Sequence, residues 1–480
     1  MPSAAPDPFY LCLDQGGHAS RALVFDRHGA LQASALREVA VREPQPDWVE
    51  QDPEELVASL QTVTTKAIAS LGARADQISC AGIATQRSSM VCWDRHTGEA
   101  LSPVISWQDR RAHAWLQQFS AHTRTVHQRT GLMLSPHYGM SKMRWCLDHL
   151  PTVTKARRDG RLAMGPLASF LLFRLLEEKP LLADPANAGR TLLWNSRTMD
   201  WDPSLLELFG IPVETLPRCV STRHGFGTLR ANEHRIPLTI ATGDQSASLF
   251  ALGAPPADAA YINIGTGAFI QRAFSQLPDA PGLLSSVVYR DADQTLYVLE
   301  GTVNGAGAAL RWVEREWGLE DVETQLPVWL ARDGDIPLFL NGIAGLGAPF
   351  WAADFASRLI GTGEPWQKAC AVVESVVFLL QTNFEAMQKI SPAPKRLLVT
   401  GGLARLDGLC QRLADLSGLP VYRPVEHEAT ARGMAYLLAG FPEQWPEEKP
   451  GDSFTPKPNP GLMQRYKDWR VEMNHALGRL

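Results

Sequence analysis

An α/β protein of two large domains is the fold this sequence predicts, on three observations. Strand-like and helix-like patterns alternate along the chain. Its 480 residues, 45% of them hydrophobic, exceed what one ordinary core accommodates. One Gly-rich turn device opens the chain and recurs just past its midpoint. The first copy is Leu11-Cys12-Leu13-Asp14-Gln15-Gly16-Gly17-His18-Ala19-Ser20-Arg21-Ala22-Leu23-Val24-Phe25-Asp26, the second Tyr261-Ile262-Asn263-Ile264-Gly265-Thr266-Gly267-Ala268-Phe269-Ile270. Each reads as strand, turn, strand. Gly lets backbone N–H groups come close enough to cradle phosphate oxygens, although either loop alone reads first as an ordinary hairpin. The recurrence suits a duplicated fold whose halves clamp one nucleotide.

After the first hairpin, Asp52 as N-cap, Pro53 at the first helical position and Glu54-Glu55 in the first turn start a helix. Leu56, Leu60, Val63, Ala67 and Leu71 continue its apolar face. Ile78 to Ala84 reads as a buried strand that delivers Thr85-Gln86-Arg87-Ser88-Ser89 at its C-terminal end, where α/β sheets bind ligands. Val91-Cys92-Trp93-Asp94 is a second strand-like run, with a turn at His96-Thr97-Gly98. In Val104-Ile105-Ser106-Trp107-Gln108-Asp109-Arg110-Arg111 an aromatic plane sits beside charged and amide groups. That set suits polyol recognition, through contact with carbon faces and forked hydrogen bonds to hydroxyls, as well as it suits a structural Trp among surface arginines.

Thr242-Gly243-Asp244-Gln245-Ser246 places one carboxylate in a short turn between an apolar run and an Ala-rich helix pattern. Asp244 is there either a helix cap or a catalytic base. Gly253 to Asp258 is turn-rich, and the domain boundary is placed there. Leu299 to Trp312 carries small residues that allow close approach of a ligand or of another helix. Leu397-Leu398-Val399-Thr400-Gly401-Gly402 is a strand entering a Gly pair, a candidate adenosine shelf. Thr430 to Tyr436 reads as a small-residue helix face packing against that shelf. Beyond Gly440, prolines and charges dominate until a C-terminal helix around Tyr466-Lys467-Asp468-Trp469. The expected divisions are 1–252, 257–440 and a tail, 441–480.

The net charge of −5 leaves no electrostatic footprint for nucleic acid or an anionic membrane, so the expected partners are small molecules. Seven widely spaced cysteines without a Cys-x-x-Cys pair read as reduced thiols of a cytoplasmic protein. The N-terminus has no basic start followed by an apolar signal core, and no stretch is expected to span a bilayer. The histidines lack zinc-ligand spacing.

Taken in order, Asp14-Gln15-Gly16 with Ser20-Arg21-Ala22, Trp48-Val49-Glu50, Gln86-Arg87, Trp107 to Arg111, Lys142-Met143-Arg144-Trp145, Gly243-Asp244-Gln245, Gly265-Thr266-Gly267, Gly345-Leu346-Gly347-Ala348-Pro349-Phe350-Trp351 and Gly401-Gly402 resemble the FGGY family of carbohydrate kinases, most of all its glycerol kinases. The resemblance runs from Phe9 to about Ala439. It implies two ribonuclease-H-like domains of the actin, hexokinase and Hsp70 type, closing over ATP and a small sugar or polyol in an interdomain cleft. The absence of a Walker A motif and of protein-kinase signatures agrees with that way of holding phosphates.

On this resemblance, Asp244 accepts the proton of the attacking hydroxyl, and Asp14, with Asp244 beside it, holds Mg²⁺. Gly16, Gly17, His18, Gly265, Thr266 and Gly267 contact phosphates, and Gly307, Gly401 and Gly402 line the nucleotide. Arg87, Ser88, Trp107, His137, Asp244 and Gln245 line the substrate pocket. The assembly is left open, with a homodimer as one form.

Five positions depart from the pattern that the resemblance implies. Gly17-His18 replaces two hydroxyl residues of the first phosphate loop, Ser88 a Glu, His137 a pocket Tyr and Thr400 an Asp. A hydrogen bond to a charged partner contributes ~1.5–3 kcal/mol. Two such changes in the sugar pocket therefore leave the acceptor open among polyols and sugars. The altered first loop also motivates a rival reading, a kinase-like regulator without turnover. An actin- or chaperone-like ATPase would share the fold but has no use for the Gln86-Arg87 and Trp107 pocket.

Overall fold

The computed structural model describes residues 7–390, 392–425, 428–446 and 451–478, and its two lobes are centred on mixed sheets of matching strand order. The first lobe contains β1 (Phe9–Gln15), β2 (Ala19–Asp26), β3 (Leu31–Glu38), β4 (Ile78–Thr85) and β5 (His234–Gly243), ordered β3-β2-β1-β4-β5 with Arg223–Ala231 outside β5. β1, β2 and β3 run antiparallel, whereas β4 and β5 run parallel to β1. The second lobe repeats this with β6 (Ala259–Ile264), β7 (Ala268–Phe274), β8 (Thr295–Val303), β9 (Arg396–Thr400) and β10 (Val421–Arg423), ordered β8-β7-β6-β9-β10. Both Gly-rich turns are the β1–β2 or β6–β7 connections of this ribonuclease-H-like unit.

Parallel pairing fixes where chemistry collects. Gln15 pairs with Thr85, and Thr85 with Gly243, so the residues that follow all three strands emerge at one edge of the first sheet. Asn263 likewise pairs with Thr400, which sends Gly265 and Gly401 off the corresponding edge of the second. Loops at the carboxyl ends of parallel strands form the crevice in which such sheets bind ligands.

Helix α1 (Pro53–Leu71) begins as expected, with the Asp52 carboxylate accepting from the Glu54 and Glu55 amides at 2.9 and 3.3 Å. Its Leu56, Leu60, Val63 and Ala67 are buried in the first-lobe core. Helix α2 (Asp244–Ser248) is a short element directly after β5, and α3 (Gly307–Trp317) follows β8.

Three expectations are amended. Helix α4 (Pro365–Gln388) is long and apolar enough to cross a membrane by length and composition, but 78% of its most apolar window is buried inside the protein. Glu374 in the middle of α4 takes hydrogen bonds from Arg412 and Arg465 at 3.1 and 2.6 Å. Its apolarity is that of a core helix.

Helix α5 (Ala429–Leu438), expected against the Gly401-Gly402 shelf, packs instead on the first lobe. A Cβ on Gly433 would collide with the Ala247 carbonyl of α2, and one on Gly82 of β4 with the Met434 sulfur. Small residues here serve helix-on-helix and helix-on-sheet approach.

The tail is also more than a linker with a helix. Asp452–Phe454 adds a strand beside β10, and α6 (Pro460–Ala476) buries Leu462, Tyr466, Trp469 and Met473 in the second-lobe core. The expectation of no signal segment falls largely on residues 1–6, outside the described residues.

Candidate active site

Asp244 is the first residue of α2, where the chain leaves β5. Its carboxylate accepts from the Gln245 amide at 2.7 Å, and its side chain stays 30% exposed. The helix-cap reading does not hold, since Gly243 is the N-cap, no side chain caps the helix, and Asp244 follows as its first residue with a carboxylate that remains reachable. Arg87, arriving from the end of β4, places Nε 3.9 Å from the Asp244 carboxylate and bonds the Gln245 side-chain oxygen through Nη2. Burial raises the Asp244 pKa, against the opposing pull of Arg87. Burial, with Arg190 nearby, lowers the Arg87 guanidinium to about 10.

Asp14 ends the same row from β1. Arg21 across the hairpin donates to it at 3.1 Å, and its side chain is only 6% exposed. Burial, joined by repulsion from Asp244, lifts its pKa to about 7 despite Arg21. The same Arg21 lies 3.5 Å from Glu428, just before α5, and the Thr430 hydroxyl reaches the Asp244 carbonyl at 3.5 Å. Three carboxylates thus share one site with Arg21 and Arg87.

That negative surplus suits a hard divalent cation. Among the described residues no group of three His, Cys, Asp or Glu side chains could hold a metal by itself. Asp14 and Asp244 would therefore be part of a ligand set that water or phosphate oxygens complete.

The first loop is braced from behind. Gln86 donates to Gln51 at 2.6 Å, and Gln51 donates to the Gly17 carbonyl at 2.9 Å. The Gln86 Oε1 is buried without a partner. His18 is exposed, and only its carbonyl is engaged, by the Val39 amide at 3.0 Å.

The second loop is tied to α3. The Gly265 carbonyl accepts from the Gly307 amide at 2.9 Å, and the Thr266 carbonyl from Ala306 and Ala308, both at 3.0 Å. Thr266 itself is exposed. Gly401 adopts φ +96°, and a Cβ there would lie 2.6 Å from the Ile264 carbonyl, so only Gly brings this turn against the end of β6. Gly402 faces open space. Thr400 is absorbed by the sheet, accepting from Asn263 at 3.1 Å and contacting the Ile262 carbonyl at 3.4 Å.

Beside Arg87, the main chain at Ser88 has φ +64° and its hydroxyl is buried without a partner. Lys142, fully buried on the helix Gly139–His149, donates to the Ser88 and His137 carbonyls at 3.0 and 2.5 Å. Trp107, 37% exposed, meets His137 edge-on at 5.6 Å. Burial, then Lys142 and nearby arginines, keep the His137 pKa well below the usual histidine value, so its ring is neutral. Behind Trp107, the Arg111 guanidinium lies 3.9 Å from the Trp48 ring centroid and 4.6 Å from that of Trp145.

Arg87, Ser88, Trp107, His137, Asp244, Gln245 and Asp14 thus gather at one edge of the first sheet, with the first loop. Gly265, Thr266, Gly267, Gly307 and Gly401-Gly402 gather at the edge of the second. Glu428 and Thr430 reach Arg21 and Asp244 from the start of α5, and Glu300 of the second sheet reaches Arg190 of the first lobe.

Sequence reading missed several of these residues. Gln51 sits one residue past a matched segment, Arg190 and Tyr138 carried no local signal, and Glu300 carried one: a carboxylate ending the apolar run Tyr297-Val298-Leu299.

Comparison with known proteins follows the same division. The FGGY family of carbohydrate kinases matches with its N-terminal domain over residues 9–251 and its C-terminal domain over 260–440. A glycerol kinase of Alkalilimnicola ehrlichii is 38% identical over 443 residues, covering 89% of each chain. One of Koribacter versatilis is 35% identical over 444 residues, covering 90% of this chain and 89% of its own. Among solved structures, Plasmodium falciparum glycerol kinase with ADP superposes with a TM-score of 0.87 at 24% identity, over 98% of both chains. A xylulose kinase from Rhodospirillum rubrum gives 0.86 at 20% identity, over 97% of this chain and 99% of its own. At those identities the structures speak for the fold.

Proposed function

The chain belongs to the FGGY family of carbohydrate kinases, and we propose that its cleft transfers the γ-phosphoryl group of ATP to one hydroxyl of a small polyol or sugar, with Asp244 as the base. The observation that carries this is the position of Asp244: a reachable carboxylate at the carboxyl edge of the first sheet, in one row with Asp14 and beside Arg87 and Gln245.

Arg87, Gln245 and the Trp107 face orient the acceptor. His137, neutral and edge-on to Trp107, offers a hydrogen bond to a hydroxyl without adding charge. Asp244 takes the hydroxyl proton as the oxygen attacks phosphorus in line. A modest base suffices, because in a loose transition state the proton leaves late and positioning does most of the catalysis. Amides of Gly16, Gly17, Gly265 and Gly267, with the Thr266 hydroxyl, meet the phosphates, and Gly307, Gly401 and Gly402 line the nucleotide. Asp14 and Asp244 would hold Mg²⁺, whose charge would offset that of the phosphates. In this reading residues 1–252 carry the acceptor site and residues 257–440 the nucleotide site, with 441–480 completing the second lobe.

The acceptor is read as a polyol or sugar rather than glycerol by name. Ser88 presents a buried, unpartnered hydroxyl next to Arg87, and its side chain supplies no carboxylate acceptor. The deciding experiment is ADP release from Mg-ATP across polyols, ketoses and aldoses. One acceptor should drive turnover, and Asp244→Ala should lower kcat on the order of 10²–10⁴-fold. Hydrolysis of ATP that ignores every acceptor would refute the reading.

A further inference from the structure

Arg190 and Glu300 form a buried ion pair between the lobes. Arg190 lies in the turn Gly189–Thr191 of the first lobe, Glu300 on β8 of the second. The Arg190 Nη2 is 3.3 and 3.5 Å from the two carboxylate oxygens, and the side chains are 4% and 7% exposed. Gln271, opposite Glu300 on β7, donates to the same carboxylate at 2.6 Å. Arg190 also lies close enough to the Tyr138 hydroxyl to interact with it, next to His137 of the acceptor pocket.

Burial works against an ionised Glu300, but Arg190, then Arg87 and the Gln271 amide outweigh it and hold its pKa below the usual value. A buried ion pair is a poor source of net stability, since well-packed apolar residues replace it at little cost. Its location says more. Burial and the neighbouring Arg190 both depress Arg87, and within the first lobe the charge facing Arg87 is Asp244, the base itself. The second lobe supplies the compensating carboxylate.

We propose that Glu300 is a positioning residue for phosphoryl transfer: closing the lobes delivers its carboxylate to Arg190 and Arg87, completing the acceptor pocket and keeping Arg87 from tying up Asp244. Lobe closure and acceptor-site assembly are then one event. In an open molecule Arg87 turns toward Asp244 and shortens the 3.9 Å separation seen here. The Tyr138–His137 wall loosens with Arg190.

The proposal rests on the kinase reading, and its test separates the two. Wild type, Glu300→Gln and the apolar double variant Arg190→Met/Glu300→Met are compared for acceptor-dependent kcat, nucleotide affinity and Tm. Glu300→Gln should lower kcat on the order of 10²-fold, the scale of losing alignment of reacting groups, while leaving nucleotide affinity unchanged. The double variant should recover Tm but not kcat, a split that a purely structural pair does not produce. Wild-type kcat in the double variant overturns the proposal. Small-angle scattering on adding Mg-ADP reads lobe coupling without turnover: wild type should contract and Glu300→Gln should not. Equal contraction in both overturns the proposal whatever the acceptor proves to be, whereas absent wild-type turnover counts against the kinase reading alone.

Discussion

At the scale of single residues, the site is governed by how few positive charges face its carboxylates. Asp14 shows the consequence. Its pKa of about 7 lies well above the 3.8 of an ordinary aspartate, because burial and Asp244 both disfavour its charge. In the free protein it therefore keeps a proton that the unfolded chain has already released, and its contribution to stability declines as pH rises from about 4 to about 7. A bound cation needs the ionised form. Affinity for Mg-ADP should accordingly rise by about tenfold between pH 6 and pH 8 from this group, and Asp14→Asn should remove that increment. Calorimetric titrations of both proteins at the two pH values, taken as a difference, cancel the nucleotide's own titration. Identical pH dependence in the two would show that Asp14 does not titrate in this range.

Elements show why the residues stay aligned. Asp244, the proposed base, sits on α2, a helix of five residues, too short to hold a geometry on its own. Its support is α5, which approaches so closely that Gly433 touches the Ala247 carbonyl region and Thr430 reaches Asp244. Gly433→Ala forces these helices apart, at a cost of about 1–3 kcal/mol by overpacking. Tm should fall, and acceptor-dependent kcat should fall further than the loss of folded protein explains. An unchanged kcat in protein of lowered Tm would separate α5 from the alignment of Asp244. On the acceptor side Arg111 plays a similar part. Held between Trp48 and Trp145 and paired with Asp109 and Glu50, it stiffens the turn that presents Trp107.

For the molecule as a whole, the lobes are not independent bodies joined by a linker. Tyr10, Cys12, Leu23, Phe25, Ala84 and Ile240 of the first lobe share one apolar cluster with Ala431, Met434 and Tyr436 of α5, and with Val288 and Val298 of the second sheet. A fragment ending at residue 252 keeps its sheet but uncovers that cluster. It should melt well below the intact chain, without a cooperative transition, and bind a hydrophobic dye. A fragment melting at the intact chain's Tm would mean that the shared cluster contributes little. Closure about such a core suits the chemistry, since it excludes water from a reactive phosphoryl group.

Much of this was legible in the primary sequence, because the signals concerned are local. The hairpins at Asp14 and Gly265, the Asp52 cap and the strand leading to Gln86-Arg87 follow from turn chemistry and periodicity within windows of ten to twenty residues. The order of short motifs identified the family. What the tertiary structure decided are contacts between residues far apart in the chain: Gln86 with Gln51 and Gly17, Arg190 with Glu300, and α5 beneath Asp244 rather than beside Gly401. A small-residue helix face or a lone carboxylate in a strand has no preferred partner of its own. The partner is chosen only when two duplicated sheets fold together, and burial then sets which charges must be matched.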